Sequence, residues 1–191
     1  MPDPNPAAMQ FLLTRRSRPA KTLGAPVPDR AALTAILMAG ARTPDHGKLE
    51  PWRFIVLEKH SLTELSHRVV ERGTALRTDP DKIEKLRRQF ADADLAIVVV
   101  ASPKPSPKVA EIEQLLSAGA ACLSLLNAAL ASGWGANWLT GWAAHDRGFL
   151  DALGLSGHES VAGFIHIGTE SSAPPERPRP DIDAITSWGI E

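Results

Sequence analysis

The sequence predicts a layered fold of the α+β or α/β class, and three features support that prediction. The run within residues 94–100, Leu-Ala-Ile-Val-Val-Val, lacks polar alternation, which is typical of a strand buried on both faces. Residues 110–132 are apolar nearly all round, as expected of a helix inside a domain or against another subunit. The predicted elements follow the order helices, strand, helices, strand, helix, strand, strand, which indicates helices packed on a sheet.

The first half of the chain carries clear helix start signals. Asp29 can accept hydrogen bonds at the start of a helix in which Leu33 and Ile36 recur at helical spacing. Asp79 and Pro80 combine a cap residue with proline in the first turn. The predicted elements are a helix over 7–14, an irregular Pro/Gly stretch over 21–28, a helix from residue 30, a strand over 52–57, a helix over 61–72 and a helix from residue 80.

The second half is expected to add two strands and a short helix after the long apolar helix. The strands are predicted over 134–139 and 161–168, and the helix between them over 146–153. The tail from about 171 to 191 is rich in Pro and Arg and is expected to wrap rather than pack as an element. No repeat or linker interrupts the chain, so one domain over 1–191 is expected.

Composition excludes several classes of partner. The formal net charge of −1 argues against a nucleic-acid or anionic-membrane binder. Ser117, Ser124 and Asn127 interrupt the longest apolar run, which favours a buried helix over a membrane span. The N-terminus lacks the cationic start of a secretory signal. Cys122 is the only cysteine, so no intrachain disulfide can form, and a cytoplasmic location is expected.

Motifs for several kinds of chemistry are missing. Neither a Gly-x-Gly-x-x-Gly, a Walker phosphate loop nor a Gly-x-Ser-x-Gly occurs. The six histidines lack the spacing of a zinc site, so no metal is expected. Cys122 lies mid-helix among apolar residues, where a thiol is usually inert, and His166 is expected to be a core histidine with its hydrogen bonds satisfied. We therefore assign no catalytic residue.

Two basic segments are candidates for binding an anion. Arg15 and Arg16, followed by Ser17, offer guanidinium forks and a hydroxyl that suit a phosphate, although the motif taken alone favours a solvated helix end, where cations interact well with the helix dipole. In the loop 42–51, His46 stands beside Asp45, which could fix one tautomer of the imidazole. The alternative is a turn in which Asp45 binds backbone amides. The concentration of Arg42, His46 and a lysine in this loop favours a functional role.

Three further groups are candidates near the end of the chain. Trp138, Leu139 and Thr140 could line a flat aromatic ligand, or the tryptophans could be core or interface packing. Gly168 and Thr169 end the last predicted strand, where glycine allows close approach of backbone to a ligand. The tail then carries Arg177 and Arg179. An ordinary strand end and a flexible basic tail are the alternatives for these last two groups.

In their order along the chain, these motifs resemble those of the nitroreductase family of flavin enzymes, and in particular of its short members. The likeness spans about residues 11 to 179. The matching pieces are Arg15-Arg16-Ser17, Arg42-x-Pro44-Asp45-His46 with Pro51-Trp52-x-Phe54, the long helix through Gly119, Gly135-Ala136-Asn137-Trp138-Leu139-Thr140-Gly141, and Gly163-Phe164-x-x-x-Gly168-Thr169.

The resemblance implies an α+β sandwich with a central mixed β-sheet flanked by helices, in an intertwined homodimer with FMN at the interface. Arg15, Arg16 and Ser17 would hold the phosphate and ribityl chain, with Arg177 or Arg179 as the tail's contribution. Arg42 and His46 would reach the flavin of the partner subunit. The cofactor-binding set is completed by Trp138, Leu139 and Thr140 along the ring and by Gly168 and Thr169 at the strand end.

The activity implied is transfer of electrons from NAD(P)H through FMN to a small electron-poor acceptor, such as a nitroaromatic or a quinone, by a ping-pong hydride mechanism at flavin N5. Two departures affect the comparison. The loop has Asp45-His46-Gly47-Lys48 where larger members carry Ser, Asn and Gln, and Pro19 stands where a cation is expected, with Lys21 as its candidate substitute. The alternatives are a non-enzymatic flavin-binding or flavin-handling dimer, an enzyme that uses reduced flavin as substrate, and a nucleic-acid module built on the arginine clusters.

Overall fold

A computed structural model describes residues 3–189, and the last two residues of the predicted tail lie outside them. Most predicted elements are confirmed with boundaries shifted by a few residues. The helices are α1 (Pro6–Thr14), α2 (Arg30–Gly40), α3 (Lys59–Ala75), α4 (Pro80–Ala91), α5 (Glu111–Ala131), α6 (Arg147–Ala152) and α7 (Ile182–Ile185). The strands are β1 (Leu23–Gly24), β2 (Trp52–Glu58), β3 (Leu95–Ala101), β4 (Gly135–Leu139) and β5 (Ser160–Glu170).

Side-chain caps begin the helices where the sequence predicts them. The Asp29 carboxylate accepts from the backbone N–H of Ala32 at 2.8 Å, and Asp79 accepts from Asp81 and Lys82. Each such bond satisfies an amide that has no partner within its own helix. These caps fix the first turns of α2 and α4.

The sheet is antiparallel throughout the described residues, which corrects the expectation of a mixed sheet. β5 pairs with β3, with β4 and at its C-terminal end with β1, while β2 pairs with β3. β3 and β4 run in the same direction and are connected through α5, but β5 lies between them. Because that central strand runs the opposite way, no two parallel strands are neighbours. The α+β class itself is confirmed.

Helices cover both faces of the sheet. One face packs on α3, α4 and α6 around Phe90, Phe149 and Phe164. The other packs on α2 and α5 through Ile97 and Ile165. All seven residues of β3 are buried, as its unbroken apolar run predicts. At the rim, Arg53 donates to both carboxylate oxygens of Glu159 at 2.7 and 2.8 Å.

Two elements differ from the sequence prediction. The stretch expected to be irregular contains the short strand β1, because Leu23 and Gly24 pair with Glu170 and Thr169. The tail, expected to have no element, includes the single-turn helix α7, which Asp181 caps. Both are too short to give a periodic signal in the sequence.

α5 is long and apolar enough, by length and composition, to cross a membrane. Its inner face is nevertheless buried on the sheet through residues such as Ala118, Ala121 and Leu125. Its outer face exposes Ile112, Leu116 and Leu123, and a β-carbon on Gly119 would meet nothing within 4 Å. α5 is therefore a core helix with a second, uncovered apolar face.

Candidate functional site

The segment from residue 15 to residue 18 lies between the end of α1 and the start of β4. The Arg15 N–H caps α1 by donating to the Phe11 carbonyl at 2.7 Å. The Arg18 N–H donates to the Ala136 carbonyl at 2.8 Å, and the Asn137 side-chain amide donates to the Arg18 carbonyl. We call residues 15–18 the arginine segment. It is fixed at both ends by backbone groups.

Two guanidinium nitrogens of this half-buried segment are buried and have no hydrogen-bond partner within residues 3–189. Arg15 Nη2 donates to Ser17 Oγ at 3.2 Å, but Arg15 Nε and Arg16 Nη1 are buried and have no partner among the described residues. Burial, and then the charge of Arg179, lowers the pKa of Arg15. Buried charged donors without acceptors are costly, and an anion would satisfy them. The residues present therefore fit a phosphate group.

A cavity of about 300 Å³ opens beside these donors. Arg15, Arg16 and Arg18 line it together with Leu130 and Trp134 at the end of α5. The single acidic neighbour among its lining residues is Glu170, whose carboxylate lies 3.3 Å from Arg18 Nη1. The cavity is thus cationic, and it places the arginine segment at the C-terminal end of α5.

The loop over residues 42–51 runs along the side of α5, antiparallel to the helix. The Thr43 hydroxyl donates to Ser124 Oγ at 2.9 Å, and the Ser117 hydroxyl donates to the Pro44 carbonyl at 2.8 Å. Trp52 Nε1 in turn donates to Ser117 Oγ at 3.1 Å. The two serines that interrupt the apolar run of α5 therefore hold this loop against the helix.

His46 does not pair with Asp45, which corrects one of the two sequence interpretations of this loop. His46 Nδ1 lies 2.9 Å from Glu113 Oε2, and this hydrogen bond is the main cause of the lowered pKa of Glu113. Asp45 instead accepts from the Leu49 N–H at 2.6 Å, as the turn interpretation predicts. Arg42 is exposed near the start of the loop.

Within one chain His46 is far from the arginine segment. His46 meets α5 at Glu113, whereas the arginine segment shares its cavity with Leu130. These helix positions are separated by about 25 Å at a rise of about 1.5 Å per residue. The structure therefore does not bring His46 together with Arg15 and Arg16 in the same chain.

The three ring candidates project in different directions. Trp138 is opposite Ile165 in the β4–β5 register and Leu139 is opposite Phe164, so their side chains lie on opposite faces of the sheet. The Trp138 indole rests over Gly163 and donates to the Ala162 carbonyl at 3.3 Å. Leu139 lines a separate cavity beside α4, and Thr140 is exposed. Trp138 therefore shares the face of α5.

Gly168 and Thr169 have structural partners where β5 meets β1. A β-carbon on Gly168 would lie 2.7 Å from the Gly24 carbonyl oxygen, so glycine permits this close strand contact. Thr169 Oγ1 donates to the Pro26 carbonyl at 2.6 Å. These contacts agree with the interpretation of Gly168 and Thr169 as an ordinary strand end.

Of the two tail arginines, Arg179 is the one whose charge acts on Arg15. Its guanidinium also pairs with Glu176 at 3.2 Å. Arg177 is exposed, and its backbone N–H donates to the same glutamate at 2.8 Å. The tail thus folds back toward the arginine segment of its own chain and brings Arg179 to it.

Two buried titratable side chains, Cys122 and His166, lie outside these clusters. Burial raises the pKa of the Cys122 thiol to about 12, which agrees with an inert core cysteine. Burial also lowers the pKa of His166 to about 4. Its Nε2 lies 3.4 Å from Gln89 Nε2 but Nδ1 has no partner in the described chain, so it is only partly satisfied. No metal-binding group of three or more side chains occurs among residues 3–189.

Sequence reasoning missed the residues that position the basic segments. Glu113, Ser117 and Ser124 are signalled by their polarity on an otherwise apolar helix, and for the two serines that polarity was interpreted only as evidence against a membrane span. Asn137 lies within the motif of residues 135–141, but the sequence alone assigns it no role. Its contact with Arg18 spans 119 positions of sequence and leaves no local signal.

The comparisons with known proteins agree on one family. Residues 12–169 match the nitroreductase family. A protein of Escherichia coli K12 named "Putative NAD(P)H nitroreductase YdjA" is 35% identical over 183 residues, which cover 96% of this chain and 93% of that one.

Two solved structures share the fold. A nitroreductase-like family protein from Bacillus cereus superimposes with a TM-score of 0.80 at 21% identity, covering 98% of each chain. A protein from Desulfovibrio desulfuricans described as "a putative nitroreductase in complex with FMN" gives a TM-score of 0.73 at 22% identity, covering 99% of this chain and 100% of that one. With these matches over nearly its whole length, the chain belongs to the nitroreductase family of oxidoreductases.

Proposed function

We propose that this protein is an FMN-dependent oxidoreductase that passes electrons from NAD(P)H to a small electron-poor acceptor, such as a nitroaromatic or a quinone. The observation that carries the proposal is the pair of buried, unpartnered donors, Arg15 Nε and Arg16 Nη1, with Arg179 beside them. They meet the requirements of a phosphate monoester, and a structural neighbour in the same family binds FMN.

A two-fold dimer would bring the arginine segment of one chain close to the 42–51 loop of the other. If a second α5 packs antiparallel on the outer face of the first, the His46 end of one helix lies beside the arginine end of the other. Arg42 and His46 of the partner subunit then approach the flavin held by Arg15 and Arg16. Each site would therefore be built from both chains.

The uncovered face of α5 suits this packing. Ile112, Leu116 and Leu123 form an exposed apolar stripe, and Gly119 lies open between them. A small residue at the centre of such a stripe lets two helices approach closely. Apolar exposure of this kind on a helix that already packs on a sheet is typical of a subunit interface.

FMN, when bound, would supply the redox chemistry that links hydride transfer from NAD(P)H to reduction of the acceptor. The chain's own residues bind and orient. The arginine segment holds the phosphate, and Trp138 borders the ring on the face of α5. Leu139 and Thr140 contribute backbone groups, and Gly168 and Thr169 secure the strand that supports them. No side-chain acid or nucleophile is required.

The purified protein provides the test. We expect the visible spectrum of a bound flavin, release of FMN on denaturation, and steady-state oxidation of NADH or NADPH with a nitroaromatic or quinone acceptor. Protein that stays colourless after incubation with excess FMN would contradict the proposal. FMN binding without turnover would favour a flavin-handling role, and release of a flavin-derived product would favour an enzyme that consumes reduced flavin.

A further inference from the structure

We propose that Asn137 is a positioning residue that sets the arginine segment against the ring-binding end of β4, and so makes the site select flavins that carry a 5′-phosphate. This inference rests on the proposed function and deepens it. It assigns a role to a residue that touches neither the phosphate-binding guanidinium groups nor the proposed ring contacts.

The first step is the way β4 holds residue 18. The Arg18 N–H donates to the Ala136 carbonyl at 2.8 Å, while the Arg18 carbonyl accepts from the Asn137 side-chain amide. Two consecutive residues of one strand therefore engage both backbone groups of a single residue. A residue held through both its N–H and its C=O cannot rotate or slide without breaking one of the two hydrogen bonds.

The second step is that the Asn137 contact with Arg18 is close in sequence to the buried donors of Arg15 and Arg16. Only Ser17 lies between Arg18 and Arg16, so a shift of Arg18 is carried directly to the guanidinium groups. The ion pair between Arg18 and Glu170 holds the side chain at 3.3 Å, but it does not constrain the carbonyl. The Asn137 amide is the group that does.

The third step is the position of Asn137 within β4. The next residue, Trp138, has its indole fixed over Gly163 and bonded to the Ala162 carbonyl. The same strand therefore meets the phosphate-binding segment at one residue and the proposed ring contact at the following one. A ligand must fit both, and Asn137 sets their relative placement.

Riboflavin separates positioning from general stability, because it keeps the ring and lacks the phosphate. We expect Asn137→Ala and the uncharged, nearly isosteric Asn137→Leu, both of which remove the donor, to weaken FMN binding roughly 3- to 10-fold, the range for loss of one hydrogen bond. Riboflavin affinity should stay within about twofold, so that the ratio of the two dissociation constants falls by nearly the same factor as the FMN affinity. Titrations monitored by quenching of flavin fluorescence measure both constants.

Thr22→Val is the matched control. Its hydroxyl donates to the Pro19 carbonyl at 2.8 Å just beyond the arginine segment, so the variant also loses one side-chain to backbone bond, but not the link to β4. Its FMN-to-riboflavin ratio should equal that of the unaltered protein. The inference is overturned if the Asn137 variants weaken both ligands equally or neither. If the unaltered protein binds no flavin, the proposed function itself fails.

Discussion

Arg179 of the C-terminal tail lies close enough to Arg15 to lower the pKa of its guanidinium, so two like charges share a partly buried corner of the structure. Glu176 pairs with Arg179 at 3.2 Å but leaves Arg15 Nε and Arg16 Nη1 without partners. Buried cationic donors that lack an acceptor oppose folding, and the repulsion between Arg15 and Arg179 adds to that cost. The cluster is therefore better explained by a ligand than by stability.

The first prediction concerns these cations. Arg15→Ala, Arg16→Ala and Arg179→Ala should each weaken FMN binding by about 1.5–3 kcal/mol, the value of a charge-assisted hydrogen bond. The free energy of unfolding of the apoprotein should change much less, because each variant relieves repulsion. Arg177→Ala is the matched control from the exposed tail and should bind FMN normally. Equal losses for Arg177→Ala and Arg179→Ala, measured by FMN titration, would remove the specific role of Arg179.

The second prediction concerns the outer face of α5. Leu116→Lys and Leu123→Lys should give monomers that retain little FMN, because a buried ammonium would oppose the packing of the two helices. Leu76→Lys is the control, since Leu76 is 49% exposed and Leu123 is 45% exposed. Light scattering coupled to gel filtration reports the mass. A dimer of unaltered mass in both α5 variants would place the interface elsewhere.

The third prediction concerns pH. Hydrogen bonds from Arg53 lower the pKa of the buried Glu159 carboxyl to about 2, from an ordinary value of 4.5. Because the folded pKa is depressed, the stabilisation is present above pH 4.5 and is lost as the pH falls toward 2. Glu159→Gln should cost about 2–3 kcal/mol at neutral pH and almost nothing near pH 2.

Glu84→Gln is the comparison for that measurement. Its pKa is also lowered to about 2, by Arg87 and Arg88, but the group is on the surface of α4, where an ion pair contributes little. Urea unfolding at pH 7, 4.5 and 3 should therefore show a pH-dependent deficit for Glu159→Gln alone. A deficit of the same size at every pH would contradict the ionic origin.

The fourth prediction concerns Gly163. A β-carbon there would overlap the Trp138 indole, so Gly163→Ala should displace the ring and cost about 1–3 kcal/mol of stability. Tryptophan fluorescence and FMN affinity should change together. Gly157→Ala, in open space, is the control. In the double variant with Trp138→Ala the cost should largely disappear, and a fully additive result would show that the two residues do not interact.

The features of the fold that could be predicted are those encoded by residues close together in the sequence. The buried run of β3 and the capped start of α4 are local patterns, and both are confirmed. The antiparallel sheet was missed because the position of β5 between β3 and β4 is a property of the whole fold. No pattern within either strand encodes its neighbour.

The candidate site shows the same limit. The arginine segment and Trp138 stand out by residue type, so the sequence could identify them. The partner of His46 could not be identified, because Asp45 is adjacent in sequence while Glu113 is 67 positions away. The role of Asn137 was missed for the same reason. Residue type can indicate which side chains could bind a ligand. The residues that position those side chains are identified only from the folded structure.

The placement of His46 and the arginine segment near opposite ends of α5 has a consequence for mixtures of variants, given the proposed dimer. In the proposed dimer, a chain with Arg15→Ala and a chain that lacks both Arg42 and His46 would each be defective in both sites. Co-refolded as a mixed dimer, they should restore one intact site, because that site would combine the unaltered arginine segment of one chain with the unaltered loop of the other. Two inactive proteins should thus yield, when combined, up to half of the activity of a normal dimer, whereas complete sites within single chains would yield none.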